Sequence, residues 1–126
     1  MTRRANLLAW LAVALWAGAI VAVSAVPAAD LPRTPGFFSY VAHVSEYAVL
    51  GALLVTALAR AQPTLRRVGL AVALASLFGA SDEFHQLFVA GRQSDPVDWL
   101  CDTAGATVGA LVAWWFWRSR QRAAAR

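Results

Sequence analysis

The sequence predicts an all-α integral membrane protein: an up-down bundle of four transmembrane helices with both termini in the cytoplasm. Three observations predict it. Hydrophobic residues make up 60% of the 126 and charged residues only 14%, against about 45–50% apolar in soluble domains. The apolar residues fall into four runs, each close to the ~20 residues a helix needs to cross a hydrocarbon core. Nine of the eleven basic residues, all arginines, fall on one side of the resulting layout. The length suits one domain, 1–126.

The first run spans 5–26, "ANLLAWLAVALWAGAIVAVSAV". It is longer than the about 7–15 residues of a signal-peptide core, so an uncleaved anchor helix is expected. The second run covers 37–59, the third 68–89 and the fourth 97–117. None alternates with period two, and Leu and Ala dominate, which favours helices over barrel strands. The connections "PAADLPRTPG", "RAQPTLRR" and "AGRQSDP" are short, each contains Pro, and two contain Gly. Such connections break helices and force neighbours to run antiparallel.

Arginines then orient the bundle. Arg3 and Arg4 precede the first run, Arg60, Arg66 and Arg67 separate the second from the third, and Arg118, Arg120, Arg122 and Arg126 follow the fourth. The positive-inside rule makes that side cytoplasmic, leaving Arg33 and Arg92 outside. The pI near 10.6 does not signal nucleic acid: the basic clusters are short flanks of membrane spans, suited to topology and anionic lipid. Trp114, Trp115 and Trp117 beside the last cluster fit an interfacial aromatic belt, and Trp99 suits the opposite interface or a pocket wall. The lone Cys101 forbids an internal disulfide and reads as a buried, inert thiol. Gly105 and Gly109 are spaced as GxxxG, which allows close helix approach, within the bundle or to a second copy.

The acids are the chemical signal. Asp30, Glu46, Asp82, Glu83, Asp95, Asp98 and Asp102 all fall on the outer side or in the outer half, and acids contribute little to topology. Counting about 1.5 Å per residue from Arg60, Arg67 and Arg118, the groups His43, Glu46, Asp82, His85, Asp98 and Asp102 lie about 21–30 Å away, in one layer in the outer third of the membrane. His43, Glu46 and Tyr47 share a helix face, as do Asp82, His85 and Gln86, and Asp98 with Asp102. A charge facing lipid near mid-membrane costs about 3 kcal/mol on insertion scales. The three polar faces are therefore expected to converge on a pocket open to the outside. Plainer readings stand beside this one. Asp95 and Asp98 flank Pro96 and can mark the interface, and the whole layer can serve only to fix helix packing.

The stretch "DEFHQLFVAGRQSDPVDWLCDTAGATVG" (82–109), together with "HVSEYAVLG" (43–51), resembles the signature of VanZ-like proteins: Asp-Glu, then His-Gln, a Gly-Arg turn, a later Asp, and an acid before spaced glycines. Tyr40, Val44 and Ala90 depart from the pattern, which often has a base, Phe and Pro at those places. The resemblance implies a small bacterial inner-membrane protein, N-in and C-in, in a family whose namesake is linked to low-level teicoplanin resistance.

The resulting functional expectation is a pocket for an anionic lipid or lipid-linked envelope precursor. Arg92 contacts phosphate, for which its planar fork is suited. His43, Glu46, Asp82, Glu83 and His85 orient the headgroup or act as acid and base, with Tyr47, Gln86, Asp98 and Asp102 as further binding residues. In the empty state Arg92 is expected to hold Glu83 or Asp82. A divalent metal is compatible with these residue types. A haem or redox module using His43 and His85 is the alternative, disfavoured by the surrounding carboxylates. A structural or partner-binding subunit, and a proton-coupled transporter, are further readings.

Overall fold

The computed structural model describes residues 2–32, 36–59 and 64–124. Arg33, Arg60 and Arg126, three of the arginines used to orient the chain, lie outside the described residues.

Four helices carry the fold: α1 Arg3–Ser24, α2 Gly36–Leu58, α3 Leu65–Gln86 and α4 Pro96–Ala124, with a single 3-10 turn Ala28–Asp30 after α1. Each apolar run of the sequence becomes one helix, and capping explains where several begin. Thr2 accepts from the Ala5 N–H and Thr64 from the Arg67 N–H, each satisfying an otherwise free donor of the first turn. Asp95 does the same for the Val97 N–H, with Pro96 at the first helical position, where its missing N–H costs nothing.

Three boundaries differ by three residues or more from those expected: α3 begins at Leu65 rather than 68, and the C-terminal ends of α3 and α4 also move. The third run was expected to continue to 89, but α3 ends at Gln86 and the chain turns through 87–91. Gly91 adopts φ +73°, a left-handed conformation that side-chain-bearing residues avoid. α4 continues past 117 to Ala124 because Arg, Gln and Ala propagate a helix well and no breaker intervenes.

Side-chain pairs give the helix directions. Val44 meets Gly105 and Ala48 meets Gly109, so α2 and α4 run parallel. Ser76 meets Thr103 and Gly79 meets Asp102, so α3 runs antiparallel to α4. α2 and α4 form the most extensive contact; α3 packs on both, and α1 lies mainly against α2. The core between them holds Tyr47, Leu54, Val55, Ala71, Ala106 and Ala110.

The α2–α4 contact is backbone on backbone. A Cβ at Gly51 would collide with the Ala106 carbonyl, at Gly105 with Val44 and at Gly109 with Ala48. Small residues let helices approach this closely. The Gly105/Gly109 stripe is thus filled by α2 of the same chain, which leaves it unavailable to a second copy.

α1 and α2 are long and apolar enough to cross a membrane. The polar residues of α3 and α4 lower their mean hydropathy, yet Asp82, Glu83, Gln86 and Asp102 all point inward and are buried. The outer faces remain apolar, with Leu70, Leu77 and Phe84 on α3 and Leu100, Val108 and Val112 on α4 exposed. At the far end of α4, Arg118 lies over the Trp114 ring at 5.2 Å and Arg120 over Phe116 at 4.7 Å. Trp117 donates to Thr56 on α2. Cys101 is half-buried rather than buried.

Candidate functional site

The polar residues gather at the end of the bundle where α1 finishes, α2 begins, α3 finishes and α4 begins. They form two adjoining groups, a hydrogen-bonded cluster between α2, α3 and α4 and a cavity between α1, α2 and α3.

The cluster centres on His43. Its Nδ1 lies 2.8 Å from Asp102 Oδ1 and its Nε2 3.5 Å from Asp98 Oδ2. The four-residue spacing of Asp98 and Asp102 stacks them one turn apart on α4, so one imidazole bridges both. Asp102 is fully buried, and Glu83 beside it is 5% exposed. Glu83 Oε2 accepts from the Asp95 N–H at 2.8 Å, which ties the end of α3 to the start of α4. Asp102 Oδ2 sits where a side chain on Gly79 would stand: an added Cβ there would lie 2.8 Å from it. Glycine at 79 is what admits the carboxylate between the helices.

The cavity, about 270 Å³, is lined by polar Ser24, Ser39, His43, Glu46, Asp82, Gln86 and Arg92 and by apolar residues that include Ile20, Val23, Leu31 and Phe38. Ser24 donates to Asp82 Oδ1 at 2.6 Å. Trp16 on α1 donates to the Glu46 carbonyl at 2.8 Å. These two bonds fasten α1 to the rest of the bundle.

Contrary to expectation, Arg92 holds neither Glu83 nor Asp82. Its Nε donates to the Val26 carbonyl and its Nη2 to the Val23 carbonyl, both at 3.2 Å. Val23 lies in the last turn of α1, at the negative end of its dipole, and Val26 two residues beyond the helix, so both carbonyls can accept from a guanidinium. The turn at Gly91 aims the side chain there, and the Ala28 N–H bond to the Ala90 carbonyl fixes that turn against the segment after α1. A guanidinium has five N–H groups; Arg92 uses two of them on the Val23 and Val26 carbonyls and also lines the cavity.

The structure therefore brings His43, Glu46, Asp82, Glu83, Gln86, Arg92, Asp98 and Asp102 to one end of the bundle. Two expected residues stand apart. His85 is half-buried, lines neither the cavity nor the cluster, and its Nδ1 has no hydrogen-bond partner among the described residues. The buried face of α3 carries Gly79, Asp82, Glu83 and Gln86, which rotates His85 away and puts Glu83 in its place. His85 is thus not among the residues that line the cavity with His43. Tyr47 is fully buried in the core, against Phe78 at 6.1 Å between ring centroids, rather than on the cavity wall. Trp99 spans α4 to α3 by donating to the Ser76 carbonyl. Ser24 was missed by sequence reasoning, although it is the only hydroxyl in the first apolar run, and that rarity is the signal that could have found it.

Residues 6–117 match the family described as VanZ/LLP1. No curated protein and no solved structure matches the chain.

Proposed function

This chain belongs to the VanZ/LLP1 family, and on that premise we propose that it is a four-span inner-membrane protein whose outward-opening cavity binds the headgroup of an anionic lipid or lipid-linked envelope precursor. The observation that carries this reading is the composition of the cavity. Polar side chains (Ser24, Ser39, His43, Glu46, Asp82, Gln86 and Arg92) and apolar ones line it together, at one end of a bundle whose outer faces are apolar. An amphiphile is the ligand such a lining suits: a polar head on the acids and Arg92, with the first carbons of a chain on Ile20, Val23 and Phe38.

Within the head, phosphate suits the guanidinium of Arg92. Hydroxyl groups suit Glu46 and Asp82, which as carboxylates offer acceptors only. A phosphate-plus-sugar headgroup uses both, so a glycosylated lipid carrier fits better than a bare fatty acid. The arginine distribution supports a cavity facing away from the cytoplasm, and inward burial of the α3 and α4 acids supports four spans rather than two. A link to envelope integrity and glycopeptide tolerance follows from this reading.

Native mass spectrometry of the detergent-purified protein tests it. Wild type should retain a phosphate-bearing lipid, and Arg92→Ala should lose it. Lipid carriage that is equal in both, or confined to uncharged lipids, would sink the headgroup reading.

A further inference from the structure

We infer that His43, Glu83 and Asp102 form a site for one divalent transition-metal cation, such as Mn²⁺ or Zn²⁺, with one ligand from each of α2, α3 and α4. Three observations carry it. First, one donor atom from each residue lies within 4.8 Å of a donor from both others. Donors on a common cation stand no more than twice a bond length apart, about 4.0–4.4 Å for bonds of 2.0–2.2 Å. The side chains need to close by less than about 1 Å to reach that geometry.

Second, the cluster holds carboxylate oxygens that nothing occupies. Glu83 Oε1 and Asp102 Oδ2 are buried without a hydrogen-bond partner among the described residues, on side chains 5% and 0% exposed. The partners that do exist orient the groups. The Asp95 N–H holds Glu83 by its other oxygen, and His43 Nδ1 stands 2.8 Å from Asp102 Oδ1, a bond that a cation ligated by both would replace. With Nδ1 as the ligand, Nε2–H of His43 points to Asp98 Oδ2. That is the carboxylate–histidine–metal relay, in which the outer acid fixes the ring and its tautomer.

Third, acids outnumber bases around the cluster. Among the described residues, Glu46, Asp82, Glu83, Asp98 and Asp102 gather near His43, while Arg92 is turned to the Val23 and Val26 carbonyls. A divalent cation offsets the excess where solvent screening is weak. The imidazole ligand selects a borderline transition metal over Mg²⁺ or Ca²⁺, which prefer oxygen alone.

His43 also lines the cavity, so the cation would sit in its wall with an open coordination position for phosphate. Only that partnership depends on the headgroup reading above; the cation site stands on its own geometry.

The test uses the full chain in detergent, stripped with chelator and titrated with Mn²⁺ by electron paramagnetic resonance and with Zn²⁺ by calorimetry. Wild type should take up one equivalent and melt at a higher temperature when loaded. Glu83→Gln and Asp102→Asn should each weaken binding by about 10-fold or more, since even outer-shell changes cost about 10–100-fold. Asp30→Asn, in the 3-10 turn away from the cluster, should bind as wild type. No stoichiometric uptake by wild type, or equal affinity in all variants, overturns the site without recourse to any variant's folding. Vesicles containing phosphatidic acid, offered to stripped and loaded protein, separate the two proposals. Headgroup binding without metal uptake defeats the cation site alone, and metal uptake without headgroup binding defeats the headgroup reading alone.

Discussion

His43 on α2 and Asp102 on α4 meet at 2.8 Å across two helices that run parallel, and the second ring nitrogen of His43 faces Asp98 one turn earlier on α4. A single imidazole thereby fixes both the rotation and the register of α4 against α2. The pair should be worth about 1.5–3 kcal/mol, the range for hydrogen bonds to charged groups. A double-mutant cycle of His43→Ala and Asp102→Asn, followed by unfolding in mixed micelles, should return a coupling energy in that range. A coupling near zero would mean the contact is incidental.

Two glycine substitutions should part company sharply. A methyl group at Gly109 has no space beside the Ala48 backbone, whereas one at Gly18 meets nothing within 4 Å. Gly109→Ala should destabilise by at least about 1–3 kcal/mol, because backbone cannot yield as a side chain does. Gly18→Ala should be neutral or stabilise by up to about 1 kcal/mol through helix propensity. Parallel melting curves decide it, and equal behaviour would contradict the close α2–α4 crossing.

Arg92→Lys keeps the charge and should still be damaging. One ammonium cannot span the Val23 and Val26 carbonyls and also reach into the cavity as a planar guanidinium does. Hydrogen exchange should rise at Ala28, whose N–H is held by the Ala90 carbonyl, and retained phosphate-bearing lipid should fall. Unchanged exchange and unchanged lipid in the variant would remove Arg92 from both roles.

Ser24→Ala removes the donor that Asp82 Oδ1 receives. A buried carboxylate oxygen left without that bond should cost about 1–3 kcal/mol. Trp16→Phe, which deletes the bond to the Glu46 carbonyl, should add to it almost independently, since the two bonds lie at different heights along α1. Cysteine cross-linking between α1 and α2 should slow in the double variant; unaltered cross-linking would show that packing alone holds α1.

For topology, a reporter active only outside the cytoplasm should be silent when fused after Ala124 and bright within 91–95. The opposite pattern would place the cavity on the cytoplasmic side and refute the orientation.

Four apolar runs and Pro-bearing connections were enough to foresee four helices, because length and hydropathy are local properties. The GxxxG spacing of Gly105 and Gly109 likewise foretold a close approach, though not that α2 would fill it. What spacing could not supply was absolute rotation. Asp82 shares a face with both His85 and Gln86 on a helical wheel, and only the packing of Gly79 against Asp102 shows that Glu83 turns in while His85 does not. Arg92 escaped for a different reason. Its partners are main-chain carbonyls 66 and 69 residues away, and every residue has a main-chain carbonyl, so a sequence does not mark which one a distant side chain will reach.

The tightest interface in the molecule joins the second helix to the last. During synthesis, α2 leaves the ribosome some fifty residues before the glycines that will receive it. In that interval His43 lacks Asp102, and Asp82 and Glu83 arrive before the α4 segment that covers them. On the four-span reading proposed above, the nascent chain would carry these acids uncovered until α4 is delivered. Truncation anywhere before Gly109 should leave a chain that enters the membrane yet is marked for degradation.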